Sequence, residues 1–573
     1  MKWRNSGKVN KKERTTIKYG IITKVNMAHY YTDRNFFDNK RGVVVVMREF
    51  NVTGICVKNK HYMVDTSEKL AKIKSLVDKG YYFTINRARQ YGKTTTLYLL
   101  SELLTPEYLC IKISFEGLGN ESFESTEAFC DALLSLIQNA LYILPDEDSR
   151  SVFQEYGREW HDKTVVNFKL LSRHITKMCK GRRVVLMVDE VDKISNNQVF
   201  LHFLGMLRDK YQVHNANGED TFHTVILTGV HDIKNIKQKL ITQGAYVQKS
   251  GEGIYNSPWN IAVDFDVDMS FNAKEISTML VEYEKDYNTG MDISAISQEI
   301  YSYTRGYPFL VSRLCQHIDK KLDKNWTLEG VQEAVKIVLA ENNTLFDDIY
   351  KNLGNYQDLY NLMYGLIISG VRYTYNIGNP SINFGMMYGL LMNIGGSVAV
   401  SNKIFELIIS NYFISRNETE HEKKITGVLM EDVVNGGKFD MEGCLRKFAE
   451  HYYEMFTEKD ISFLERHGRL LFLTYLKPLI NGTGFYYIEA QTRSQRRMDI
   501  VLDYNKEQFI IELKLWHGEN YKEKAYKQLL DYMESRNAKA GYLLTFNFNK
   551  NSEKVRGAKW IDCEGKRIFD VVI

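Results

Sequence analysis

The groups best placed to do chemistry in this 573-residue sequence lie near its C-terminal end, in RMDIVLDYNKEQFIIELKLW. Two runs of β-compatible residues flank Asn505-Lys506. If that pair forms the turn of a hairpin, Asp499 falls directly opposite Glu512. Like charges facing each other across an antiparallel pair are destabilising unless something compensates, and a shared divalent cation would do so. Period-two alternation puts Glu512 and Lys514 on one face, with Ile511, Leu513 and Leu515 on the other. Carboxylate oxygens suit Mg²⁺ or Mn²⁺, which can activate water and offset charge growing on a cleaved phosphodiester, while Lys514 positions the nucleophile or stabilises that charge. An exposed row of ion pairs would carry the same pattern. Just upstream, QTRSQRRMD supplies Arg493, Arg496 and Arg497, whose guanidinium groups could grip phosphates or simply decorate a surface turn.

A second constellation lies in the N-terminal half. YYFTIN reads as a strand, RARQYGKT as a loop and TTTLYLLSELL as a helix. In that setting the free N–H groups and dipole of the helix start favour an anion. Gly92-Lys93-Thr94 alone arises often by chance. Its weight comes from RVVLMVDEVDKI further on, an apolar run ending in Asp189 and Glu190, as a buried parallel strand delivering carboxylates to its C-terminal edge would read. Lys93 would hold the β- and γ-phosphates of ATP, and Thr94 would bind Mg²⁺, with Thr95 beside it in the nucleotide-binding set. Asp189 would hold the ion through water, and Glu190 would orient the attacking water. In TVILTGV, Thr228 stands where a γ-phosphate sensor would sit, although a strand-end hydroxyl also serves as a turn former.

The elements that must position these groups are punctuated clearly. Asp65, Thr66 or Ser67 can cap a helix whose Leu70, Ile73 and Val77 share one face, and Gly80 ends it. RGYPFLVSRLCQHI starts another helix with Pro308 in its first turn, where a missing N–H costs little.

The stretch from FNVTGICVKNKHYMVD through INRARQYGKTTTL and VVLMVDEVD to Gly306-Tyr307-Pro308 resembles the bacterial AAA-like ATPases related to the signal-transduction (STAND) class, whose members often carry a C-terminal PD-(D/E)XK nuclease domain. The resemblance implies that Gly306 and Pro308, on a helical lid, approach the nucleotide. Where the usual phosphate loop opens with Gly, this sequence has Arg87. A side chain there restricts the backbone and reshapes the cradle, so rapid hydrolysis is not assured. The stretch is similar to the family variant Arg-x-Arg-x-aromatic-Gly-Lys, which makes Arg87 and Arg89 candidate phosphate contacts.

Around the hairpin, a helix beginning near Asp460 carries Glu465, and a later helix contains Gln528-Leu529-Leu530-Asp531-Tyr532 before a strand, GYLLTF. That order, over roughly Phe456 to Phe548, resembles the exonuclease-like branch of the PD-(D/E)XK nucleases. It implies that Glu465, Asp499 and Glu512 bind metal, that Lys514 is catalytic, and that Gln528 and Tyr532 order the site or meet nucleic acid, DNA ahead of RNA.

The expected fold class is therefore α/β: a P-loop NTPase parallel sheet with a helical lid, a winged-helix-like connector and a C-terminal α/β restriction-endonuclease-like domain. The expected boundaries are a basic leader at 1–46, an ATPase core at 47–265, a lid at 266–345, a connector at 346–425 and a nuclease-like unit at 426–573. Such a length calls for several cores, since domains usually hold about 100–200 residues. In the connector, Gly395-Gly396 between apolar runs predicts a tight hairpin, and its few Lys and Arg favour transmission of nucleotide state over DNA reading.

Composition sets the outer limits. A 44% hydrophobic and 25% charged chain with 6 prolines is globular, and it has no apolar run near the roughly 20 residues of a membrane helix. Residues 1–46 carry 11 Lys and Arg against 3 Asp and Glu, leaving the rest mildly acidic, so nucleic-acid contact must come from local clusters. That leader reads as a flexible arm or an upstream extension of the reading frame. It lacks the layout of a signal peptide, and seven scattered cysteines without a Cys-x-x-Cys pair point to a reducing cytoplasm. A homo-oligomer is left open; Arg208 could reach a neighbouring nucleotide, or be an ordinary exposed helical arginine. The expected function is ATP binding and hydrolysis that gates a metal-dependent nuclease. The alternative is an ATP-dependent signalling or scaffold protein whose nuclease-like domain binds nucleic acid without cutting.

Overall fold

The computed structural model describes residues 35–38, 43–46, 48–143, 150–153, 167–194, 197–230, 259–368, 371–420, 433–455, 461–480, 484–489, 499–505, 507–516, 519–536, 538–547 and 556–573. Within the expected leader, β1 (Asn35–Asp38) and β2 (Val43–Val46) form an antiparallel pair.

The N-terminal half is built on four parallel strands, β3 (Phe83–Asn86), β4 (Leu109–Ser114), β5 (Val184–Asp189) and β6 (Thr224–Gly229), in the order β3-β6-β5-β4. β5 and β6 are buried along their whole length, which explains the apolar runs Val184–Val188 and Val225–Leu227. Alternate β5 residues enter different cores. Leu186 and Val188 pack among Phe129, Leu133 and Phe203. Val185 and Met187 pack among Leu97, Leu100 and Ile226. The sheet is thus covered by helices on both faces, with its C-terminal strand ends left free for chemistry. The helix predicted from Asp65 to Gly80 is Ser67–Asp78. Asp65 accepts from the Ser67 N–H at 2.9 Å and Gly80 follows with φ +69°.

Four helices follow: Ala273–Tyr287, Ile293–Thr304, Pro308–Lys321 and Leu328–Leu339. The first opens with a capping box, Asn272 and Glu275, and the third opens on its proline. Beyond them, helices Thr344–Asn355, Gln357–Ile367 and Pro380–Met387 lead into a hairpin of β7 (Leu391–Ile394) and β8 (Ser397–Val400). Its turn is Gly395-Gly396, both at positive φ, as a two-residue turn of this kind requires. Thr374 bridges to Ser397 as a third short edge.

The long helix Lys403–Glu420 then packs on helix 293–304, on helix Ile461–Ile480 and on β11 (Gly484–Glu489). Lid, connector and C-terminal unit share one hydrophobic cluster, reaching from Phe50 through Tyr307 and Phe405 to Phe569.

The C-terminal unit is a six-stranded mixed sheet ordered β11-β12-β13-β14-β16-β15, with β12 (Asp499–Tyr504), β13 (Glu507–Leu515), β14 (Ala540–Phe546), β15 (Gly557–Cys563) and β16 (Lys566–Val572). β9 (Val434–Asn435) and β10 (Lys438–Phe439) form a short ribbon just before it. β11-β12-β13 is antiparallel, β13-β14-β16 is parallel, and helix Glu519–Ser535 makes the crossover between β13 and β14. Among the described residues no helix is long and apolar enough to cross a membrane.

Candidate nucleotide and nuclease sites

At the free edge of the parallel sheet, β3 runs into residues 87–92 and then helix Lys93–Leu104. Gln90 and Gly92 take left-handed backbone, with φ of 56° and 77°, which wraps the loop over the helix start. A left-handed residue at Gly92 is cheap only because it lacks a Cβ. Lys93 is buried, and its Nζ donates to the Arg87 and Ala88 carbonyls at 3.0 and 2.9 Å. Burial lowers its pKa, against the pull of Glu190, Asp192 and Asp189.

Parallel register sets Ile85 beside Thr228 and Val188 beside Leu227, so loop, β5 and β6 end together. The Thr94 hydroxyl donates to Asp189 Oδ2 at 2.7 Å. Asp189 Oδ1 accepts from the Thr228 hydroxyl and from the Glu190 N–H. A hydroxyl and a carboxylate held together at a helix start are oxygen donors of the kind Mg²⁺ takes. Glu190 adopts φ 54°, a rare conformation for a residue with a side chain, and burial raises its pKa while Lys93 opposes the shift.

Of these groups, Gly92, Lys93, Thr94 and Glu190 line a cavity of about 680 Å³. Thr95 joins them in the lining. Ile55, Val64, Leu70 and Ile73 form an apolar wall, and Pro308, Phe309 and Asp348 approach from the lid and connector. Thr95 Oγ1 accepts from the Cys56 N–H at 3.2 Å, tying the apolar wall to the loop. Arg87 donates to the Asn86 and Val267 carbonyls, both at 2.8 Å, and lies over the Phe265 ring. Its described contacts thus brace the segment behind the loop. Arg89 is largely exposed and meets Asp348 at 3.2 Å. Gly306 stands behind the cavity, where an added Cβ would lie 1.7 Å from the Phe271 carbonyl oxygen. It is glycine because two backbones touch there, whereas Pro308 reaches the cavity itself.

Sequence reasoning missed several neighbours. Asp192 accepts from the Val230 N–H and pins the end of β6, a role signalled only by its place in DEVD. Glu116 lines the cavity. The Tyr307 hydroxyl donates to the Arg89 carbonyl, and its ring packs on Tyr91 and Phe405, 4.7 and 5.2 Å between centroids. No local pattern announces either.

In the C-terminal sheet, β12 and β13 pair with Asp499 opposite Glu512, the register expected from a turn at Asn505-Lys506. Glu512 is 1% exposed and pairs with Lys514 Nζ. Register carries Glu512 to Leu543 and on to Asp570, so the three share a face. Helix 519–535 covers that face, since the Tyr526 hydroxyl donates to Asp570 Oδ2 at 2.8 Å and Lys522 pairs with the same carboxylate at 2.6 Å. Gln528, partly exposed, and Tyr532, buried, ride on this helix.

Ile511 and Leu513 are buried on the opposite face, as alternation predicted, and so is Phe546. Helix 461–480 meets the sheet at Phe546, where an added Cβ on Gly468 would lie 3.0 Å from the ring. The side chains of Glu465, Asp499 and Leu515, and residues Arg493, Arg496 and Arg497 altogether, lie outside the described residues.

Residues 53–376, more than half of the chain, match the AAA-like domain family. The chain belongs to that family. Residues 483–557 match the PD-(D/E)XK nuclease superfamily, so this AAA-like protein joins an N-terminal ATPase-like domain to a C-terminal nuclease-superfamily domain. No curated protein matches it. Among solved structures, it is similar to a Walker-type ATPase of Pyrococcus abyssi (10% identity, TM-score 0.42, covering 63% of this chain and 99% of that one). It is also similar to the ORC2 protein of Aeropyrum pernix in ADPNP-ADP complexes (12%, 0.31, 63% and 97%) and the ORC1 protein of the same organism in complex with DNA (11%, 0.27, 62% and 94%).

Proposed function

We propose that this AAA-like protein binds and hydrolyses ATP in the cavity at the β3 loop, and that its C-terminal sheet cuts nucleic-acid phosphodiesters with the help of a divalent metal. The observation that carries the nuclease reading is the pairing of Asp499 with Glu512 in a stretch that matches a nuclease superfamily, with Lys514 beside Glu512. Two opposed carboxylates provide the hard oxygen donors that Mg²⁺ or Mn²⁺ takes, and the metal would polarise the phosphate under attack. Lys514 pairs with Glu512 and can stabilise charge on the phosphate. Glu465 is assigned as a further ligand, Arg493, Arg496 and Arg497 as phosphate grips, and Gln528 and Tyr532 as ordering groups, on the family resemblance. DNA is favoured over RNA.

In the nucleotide site, Lys93 and the loop N–H groups bind phosphates, Thr94 and Asp189 hold Mg²⁺, and Thr228 orients Asp189. Glu190 orients the attacking water. Arg87 and Arg89 are candidate phosphate contacts once released from their present partners, and Gly306 and Pro308 shape the lid. The apolar wall at Ile55, Val64, Leu70 and Ile73 suits a purine base. Gating of the nuclease by nucleotide is supported by the shared core and by helix 403–420, which touches lid and nuclease sheet together. A cytoplasmic setting is supported by seven free cysteines.

The test is incubation of the full chain with Mg²⁺ or Mn²⁺ and end-labelled single- and double-stranded DNA and RNA, with no nucleotide, ADP, ATP or a non-hydrolysable analogue. Metal-dependent products supports the nuclease, and nucleotide-dependent rates support gating. Tight binding without product favours a scaffold that only holds nucleic acid.

A further inference from the structure

We propose that Trp516 is a stacking platform for an unpaired nucleobase beside the cutting site, so that the C-terminal sheet takes single-stranded nucleic acid in preference to duplex. The proposal rests on the nuclease reading of that sheet and names a residue that selects among its substrates.

Two observations set Trp516 in one row with Glu512 and Lys514. The first is strand alternation. The Trp516 N–H donates to the Phe546 carbonyl at 2.8 Å, which carries the parallel ladder of β13 and β14 one residue past Leu515, so the even-numbered positions keep to one face. The second is the covering helix. Lys522 Nζ lies over the indole, 5.4 Å from the ring centroid, and the same ammonium pairs at 2.6 Å with Asp570, on the face that carries Glu512. Two residues of strand span about 6.6 Å, so the indole is the next group along the row from Lys514. Asp570 is buried, which fixes the cation behind the ring. Trp516 itself is half-buried, and among the described residues no aromatic ring stacks on it.

A flat apolar ring at the end of a row of charged groups has a defined partner. A phosphodiester held at Glu512 and Lys514 brings its nucleoside alongside Trp516, and the face of the base is the part of a nucleic acid that matches an indole. Such stacking is indifferent to sequence, because every base has a π-face. Within a duplex both faces of a base are covered by its neighbours, so the indole can take only a base that is out of the stack. Lys522 occupies one face of the ring and leaves the opposite face to the base. Its attraction to the π-system also holds the ring in position before a ligand arrives, which lowers the ordering cost of binding.

The experiment follows tryptophan fluorescence of the full chain with Mg²⁺, in a Glu512→Gln background that slows cutting. The probes are an oligothymidylate, an oligouridylate, a DNA duplex of the same length and an oligomer that is abasic throughout. The single strands should bind more tightly than the duplex and quench the emission. In Trp516→Phe the quench should be lost while the smaller ring keeps the affinity within about threefold. Trp516→Ala should bind the single strands roughly tenfold more weakly and change duplex and abasic binding by less than about twofold. Its salt dependence, which reports phosphate contacts, should stay the same. A loss confined to the DNA or to the RNA strand supports the platform and assigns the sugar it takes. Equal single-strand affinity in folded Trp516→Ala, an equal loss on the abasic oligomer, or no preference for single strands would overturn the proposal while leaving the nuclease intact. Should the alanine variant fail to fold, an unaltered quench in Trp516→Phe would overturn it as well. Wild type that neither binds nor cuts any probe, with a normal melting profile, would remove the nuclease reading and this inference with it.

Discussion

The proposed nucleotide site and the hairpin proposed as the nuclease site both gather carboxylates, but over very different lengths of chain. Thr94 and Asp189 are 95 positions apart, and Thr228 and Asp348 come from further still. Asp499, Glu512 and Lys514 come from one turn of antiparallel chain. The first site depends on the docking of sheet, lid and connector, so it can respond to movement among them. The second is fixed by register within one sheet and can be switched only through access or through the sheet as a whole.

Substitutions that separate the two sites sharpen this contrast. Glu512→Gln should have the largest effect, lowering nucleic-acid cleavage by about a thousandfold or more while leaving nucleotide affinity unchanged. Gln is the cleaner replacement than Ala, because Glu512 is buried against Lys514 and an empty site would leave that ammonium without its partner. Gel-based cleavage and calorimetry on the same preparation check both halves. Lys93→Ala should weaken ATP binding by roughly a hundredfold, since it removes the buried cation proposed to meet the phosphates. Unchanged affinity would place the nucleotide elsewhere.

Gly306→Ala tests the dependence of the first site on docking. A Cβ pressed onto the Phe271 carbonyl at positive φ should cost about 2–3 kcal/mol in urea unfolding of the ATPase-lid unit, and should weaken nucleotide binding with it. The smallest effect concerns pH. Glu190 must be ionised to orient water, and burial has raised its pKa, so ATP hydrolysis should fall on acidification at a pH above the ordinary glutamate value of about 4.3. A pH-rate profile in Glu190→Gln should lose both the activity and that acid limb.

What could be read from the sequence follows the same division. The hairpin register was legible because a turn at Asn505-Lys506 fixes every cross-strand partner, and Asp499 does stand opposite Glu512. The Gly395-Gly396 turn, the proline-started helix at Pro308 and the apolar β5 were legible for the same local reasons. Burial on both faces of the C-terminal sheet was not, because alternation says which residues share a face and not what covers it. Asp348 and Tyr307 were missed because their meaning lies in tertiary contact with the phosphate loop. Arg87 was legible as unusual for its position. Its hydrogen bonds to the Asn86 and Val267 carbonyls depend on where the 265–267 segment docks, which no spacing encodes.

The most direct test of the central claim, that this AAA-like protein carries a working metal-dependent nuclease, is a time course of labelled DNA with purified wild type and Glu512→Gln in Mn²⁺, with and without chelator. The account predicts products from wild type alone, and none once the metal is removed. Equal cleavage by the two proteins, or no cleavage of DNA or RNA by folded, nucleotide-binding wild type, would contradict it.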